Sequence, residues 1–118
     1  MATEVLALSF DCADAGRLAE FWAAALGRTV NPGATAESAR IAAADVAKTG
    51  PPLSFHQVPE GKTVKNRLHL DLGTTELAAE TERLLGLGAT RLWDVEKGDL
   101  RWTTFADPEG NEFDLVAR

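Results

Sequence analysis

The chain has 118 residues, enough to bury one core but too few for a catalytic domain plus a regulatory one. Hydrophobic residues at 45% and charged residues at 25% exclude a disordered polymer, and no apolar run is long enough to span a bilayer. A formal net charge of −6 argues against a nucleic-acid partner, whose phosphates require a basic face, and leaves a neutral or cationic small molecule as the better-matched ligand.

The N-terminal MATEVLALSF carries Glu4 and lacks a basic leader, so no signal peptide is read and a cytoplasmic location is expected. Residues 4–11 alternate Leu6, Leu8 and Phe10 against Val5, Ala7, Ser9 and Asp11, which predicts a first strand. Cys12 is the one cysteine, which excludes an internal disulfide and suits a buried structural thiol better than a nucleophile. Asp14 can accept the orphan amide protons of a helix running to about Leu26, with Leu18, Phe21, Trp22, Ala25 and Leu26 as its buried stripe and Gly27 as its stop. NPGAT (31–35) is turn chemistry. Residues 38–46 read as a strand after that turn, TGPP as a loop, and LSFHQV (53–58) as a further strand.

KNRLHLDL (65–72) sets Leu68, Leu70 and Leu72 against Arg67, His69 and Asp71, so a strand there would project a guanidinium, an imidazole and a carboxylate from one face. The preceding charges of Lys62 and Lys65 read as a solvated loop. Residues 75–88 predict a second helix with Thr74 or Thr75 as cap, Leu77, Thr81, Leu84 and Leu85 inward, and Gly88 as its end. Strands follow at 89–95 and 100–105 around a turn through Lys97, Gly98 and Asp99; DPEGN is a loop, and 112–117 alternates Glu112, Asp114 and Val116 against Phe113, Leu115 and Ala117. Ala7 precedes Gly27 by 20 positions and His69 precedes Gly88 by 19, a spacing that indicates an internal duplication, with one module at about 1–60 and another at about 65–118.

DAGRLAEFWAAALG, the central NRLHLDL and the closing ADPEGNEFDLV together resemble the vicinal oxygen chelate superfamily, which includes glyoxalase I, extradiol dioxygenases and the bleomycin and fosfomycin resistance proteins. The resemblance is closest to its small glyoxalase-like branch. It implies an α+β fold in which two βαβββ modules build a curved, cup-shaped, mixed or antiparallel sheet with helices outside and a ligand in the hollow. It also implies one inward site position per strand. These fall on Ala7, on His69, on Asp114 and on a residue of LSFHQV, where strand parity favours His56 and a slip of one residue would select Phe55 or Gln57. Parity supports the scheme independently: Ala7, Ser9 and Asp11; Ser54 and His56; Arg67, His69 and Asp71; Glu112 and Asp114 each share a face.

Ala7 cannot bind a metal, so the four-ligand set of glyoxalase I is incomplete. The survivors His69, Asp114 and His56 have the composition of a two-histidine, one-carboxylate set for divalent zinc, iron, manganese or nickel. With a metal, the resemblance implies lyase, isomerase or dioxygenase chemistry in which Asp114 or Glu112 moves a proton. Without one, the same hollow would sequester a small molecule, as in the bleomycin-resistance type. Arg67, Asp71, Trp102 and Ser9 are the expected pocket residues, Trp102 being better placed than Trp93. A homodimer is expected, because exposed sheet edges in so small a body are commonly covered by a second copy.

Overall fold

A computed structural model describes residues 2–42 and 49–118 of the chain. They belong to two compact units, Met1–Gly61 and Lys62–Arg118. Each is an open sheet with one helix, of three strands in the first and four in the second, giving an α+β fold with mixed pairing.

The first unit runs β1 (Leu8–Cys12), α1 (Ala15–Leu26), β2 (Ser38–Ile41) and β3 (Leu53–Gln57), with β3 in the middle, parallel to β1 and antiparallel to β2. The helix starts where expected: Asp14 is extended and its carboxylate accepts the Arg17 amide. It stops at Gly27, whose φ of 67° is the left-handed conformation that a residue with a Cβ adopts only at a cost. Between those ends Leu18, Phe21, Trp22 and Ala25 are buried, and Trp22 meets Phe10 at 5.3 Å while Phe10 stacks on Phe55 at 5.1 Å. Burying these rings is the main apolar gain of the unit. Cys12 is buried with them and its thiol donates to the His56 carbonyl, a structural role. The opposite sheet face is polar, since Ser9 pairs with Ser54 and Asp11 with His56 in register, and Arg40 donates to Ser54 at 3.2 Å.

The second unit repeats the plan as β4 (Asp71–Thr74), α2 (Leu77–Leu87), β5 (Thr90–Lys97), β6 (Leu100–Ala106) and β7 (Glu112–Ala117), in the order β4-β7-β6-β5. β7 lies parallel to β4 and antiparallel to β6, and Phe105 stacks on Phe113 at 5.5 Å beneath the helix side. The expected α2 face is only partly enclosed: Thr81 and Leu84 are buried, while Leu77 and Leu85 are half-buried. The cap position of α2 falls on Glu76 and not on the expected Thr74 or Thr75; Thr74 stands two residues ahead of it, its hydroxyl accepting the Glu76 amide, and Gly88 closes the far end at φ 115°.

Both opening strands begin later than the alternation predicts. β1 starts at Leu8 rather than residue 4, and β4 at Asp71 rather than residue 65, so His69 lies in irregular chain just ahead of its strand. A strand needs a ladder as well as a pattern. In the β4–β7 register residues 65–68 fall ahead of Glu112, the first residue of β7; Leu70 still accepts the Asp114 amide at 2.9 Å, while Asn66 reaches Glu112 with its backbone amide and its side chain. The second expected strand, 38–46, ends at Ile41, and residues 43–46 of that expectation lie outside the described residues. DPEGN closes on itself: Asp107 is 3% exposed, and its carboxylate accepts the amides of Glu109 and Asn111 and the Asn111 side chain. No described helix is long and apolar enough to cross a membrane.

Candidate functional site

In the second unit, register sorts the side chains into two faces. Asp71 pairs with Asp114, Asp114 with Thr104, and Thr104 with Trp93, so these four share one face, as does Trp102 two residues from Thr104. Leu72, Leu115, Thr103 and Asp94 take the other, beneath α2. The expected sidedness of the second half is therefore present.

Three of the candidate residues converge. His69 Nδ1 lies 3.0 Å from Asp71 Oδ1 and 3.8 Å from Asp114 Oδ2. One donor atom from each residue can be chosen with all three within 4.8 Å of one another. Asp114 is the anchor: its side chain is 16% exposed, and the buried Thr104 hydroxyl donates to Oδ1 at 2.6 Å, which leaves Oδ2 turned toward the imidazole. His69 and Asp71 are more open, with side chains 40% and 61% exposed, so a molecule arriving from solvent can reach them. An imidazole and two carboxylates within this radius are a donor set that fits a divalent cation.

Glu112, two residues before Asp114, is engaged otherwise. Lys62 Nζ donates to Oε2 at 2.8 Å, the Asn66 amide donates to Oε1 at 2.7 Å, and Asn66 Nδ2 donates to the Glu112 carbonyl at 3.0 Å. Burial pushes the Glu112 pKa up, but the Lys62 and Asn66 hydrogen bonds outweigh it and hold the carboxyl below its ordinary value. These bonds fasten residues 62–66 to the start of β7 and so fix the stretch that leads to His69. Arg67 is exposed beside it, and Trp102 is half-buried on β6.

Ser9 and His56 both lie on the polar face of the first unit's sheet, exposed, His56 in register with Asp11 and Ser38; Ala7 is half-buried just ahead of β1. The sequence reading missed Thr104 and the Lys62–Asn66 clamp. Thr104 was within reach, because the alternation that placed Trp102 also places Thr104 on its face. The clamp was not, since it depends on a loop folding back over a distant strand.

A cleft of about 340 Å³ lies on the other side of the second unit, between α2 and β5–β6, and is lined by Thr81, Glu82, Arg91, Asp94, Arg101 and Thr103 among others. A bulge in β5 between Arg91 and Trp93 brings Arg91 and Asp94 to one face, where they pair at 2.8 Å. Asp94 also accepts from the Thr103 hydroxyl at 2.9 Å, and the Thr103 and Arg91 hydrogen bonds hold its pKa below the usual carboxylate range. This cleft contains a self-satisfied ion pair and no imidazole. The His69 face is the better seat for chemistry, because its three donors point at one another.

The glyoxalase-like domain family matches residues 7–116 of the chain. No curated protein sequence matches it. Among solved structures, it is similar to a mutant of the genomically encoded fosfomycin resistance protein FosX from Listeria monocytogenes, complexed with Mn(II) and 1S,2S-dihydroxypropylphosphonic acid, at TM-score 0.78 and 16% identity, covering 99% of this chain and 91% of that one. A glyoxalase/bleomycin resistance protein/dioxygenase family enzyme from Burkholderia phytofirmans PsJN aligns at TM-score 0.75 and 15% identity, covering 98% of both chains. The oxidase ChaP-H2 aligns at 0.72 and 18%, covering 100% of this chain and 95% of that one.

Proposed function

The chain belongs to the glyoxalase-like domain family of the vicinal oxygen chelate superfamily, and on that premise we propose that it is a divalent-metal-dependent enzyme acting on a small, oxygen-bearing molecule at the polar face of its second unit. The observation that carries this reading is the convergence of His69 and Asp114, which stand 45 positions apart in the chain and come within 3.8 Å. A bound divalent cation would act as a Lewis acid on a substrate oxygen. His69 and Asp114 would hold it, and Thr104 would orient Asp114 by fixing one of its oxygens. Arg67 and Trp102 would line the approach. Glu112 is occupied by Lys62 and Asn66, so its part is to position the 62–69 segment.

The composition of the metal bound to its neighbour FosX supports Mn(II) as a first probe. Protein purified without chelator should contain metal in proportion to chain, and His69→Ala should abolish it. Metal-free protein that also takes up neither Mn(II) nor Zn(II) on titration would refute the enzyme reading.

Ala7 favours a second reading, a metal-free binder that sequesters its ligand. It predicts thermal stabilisation by a small molecule that is indifferent to EDTA; a ligand at a hundred times its dissociation constant should add about 2.7 kcal/mol. In either case we propose a homodimer. Val5, Leu6, Val64 and Leu68, just ahead of the two opening strands, are roughly 70% exposed, and apolar chain of this kind is usually covered. A single monomer mass by light scattering would overturn it.

A further inference from the structure

We infer that Asp71 is the third metal ligand, so that the centre is assembled from His69, Asp71 and Asp114 of the second unit and needs no ligand from His56. This rests on the metal-binding reading above and gives that site a different composition, one imidazole and two carboxylates.

Three observations point to it. First, Asp71 and Asp114 are direct register partners on the adjacent strands β4 and β7, and both send a carboxylate oxygen toward the same ring nitrogen. Like charges side by side on neighbouring strands repel. Asp71, at 61% exposure, has room to swing into solvent, yet it stays within 3.0 Å of Nδ1. In the metal-free protein the imidazole nitrogen draws the two carboxylates together, and a cation at that point would be within reach of the same three groups. Second, the spacing fits: donors held about 2.0–2.2 Å from a cation lie roughly 3 Å apart when adjacent, against the observed 3.0 and 3.8 Å. The exposed Asp71 side chain can take up the difference. Third, Asp114 has the outer support of a built ligand, since the buried Thr104 hydroxyl fixes its other oxygen at 2.6 Å.

Two carboxylates neutralise a divalent cation, whereas two histidines and one carboxylate would leave it positive. The oxygen-rich set suits a harder ion such as Mn(II) better than a two-histidine set does. Three protein donors leave positions open for a molecule presenting two oxygens.

Mn(II) titrated into the chelator-treated full-length protein, followed by calorimetry and by loss of the free-ion paramagnetic resonance signal, tests the assignment. One Mn(II) per chain is expected. Asp71→Asn should weaken binding at least tenfold, with an unchanged melting temperature for the metal-free protein, and His56→Ala should leave affinity within twofold. Wild-type affinity in Asp71→Asn would overturn the inference, as would loss of binding in His56→Ala; with His69→Ala still inactive in binding, either result would leave the enzyme reading standing. Absence of Mn(II) and Zn(II) binding by the wild-type chain would overturn both.

Discussion

The two units use one plan for different ends, and their helices show the division most clearly. α1 seals its sheet with Leu18, Phe21 and Trp22, and Phe10 and Phe55 extend that side into an aromatic cluster. α2 seals with Thr81 and Leu84 and leaves a cleft of about 340 Å³ beside β5 and β6. The polar faces reverse the ranking. The first unit has Ala7, Ser9 and an exposed His56 there, whereas the second gathers His69, Asp71, Asp114 and Thr104. One unit thus carries the denser aromatic packing while the other gathers an imidazole and two carboxylates on its polar face.

This contrast can be broken by mutation. Trp22→Ala should cost about 3–5 kcal/mol, because a fully buried indole leaves a cavity that the helix cannot close; urea denaturation measures it. Leu84→Ala should cost less, toward the lower end of about 2–5 kcal/mol, since its neighbours border an open cleft. Equal losses would remove the packing half of the comparison. Hydrogen exchange sharpens the same point: α2 amides should exchange faster than those of α1.

On the chemical side, Thr104→Val should weaken Mn(II) binding about 10–100-fold by freeing Asp114, with Ser9→Ala, its counterpart face in the first unit, changing nothing. Glu112→Gln should cost about 1 kcal/mol, as expected for a partly solvated charged pair. It should also flatten the acid limb of stability. Because the folded Glu112 pKa lies below the ordinary value, its contribution is present above the usual glutamate range and is lost as pH falls through the lower, folded value. A denaturation midpoint followed from neutral pH downward checks the sign.

Most of the scaffold could be read from residue order. Asp14 and Gly27 bracket α1 as capping chemistry requires, and the alternation of 112–117 gives β7 and its faces. Alternation alone misplaces the starts of β1 and β4, because it reports which side a residue prefers and not whether a neighbouring strand is there to bond it. The site was half legible. His69, Asp71 and Asp114 could be assigned to one face, but the turn of both carboxylates onto a single ring nitrogen depends on how β4 and β7 register. The Glu112 clamp depends on the path of residues 62–66, which carry no periodic signal.

The folded-back DPEGN segment has a consequence for engineering. Its inward aspartate, Asp107, clasps Glu109 and Asn111 and so meters the chain into the last strand. One residue inserted between Asn111 and Glu112 would rotate every later side chain by half a turn of the pleat, sending Phe113 and Leu115 to water and the carboxylate of Asp114 into the apolar layer. Changes of length are therefore safer in the exposed Lys97–Asp99 hairpin, where the loop itself can take up an extra residue and leave the register of the coming strand unchanged.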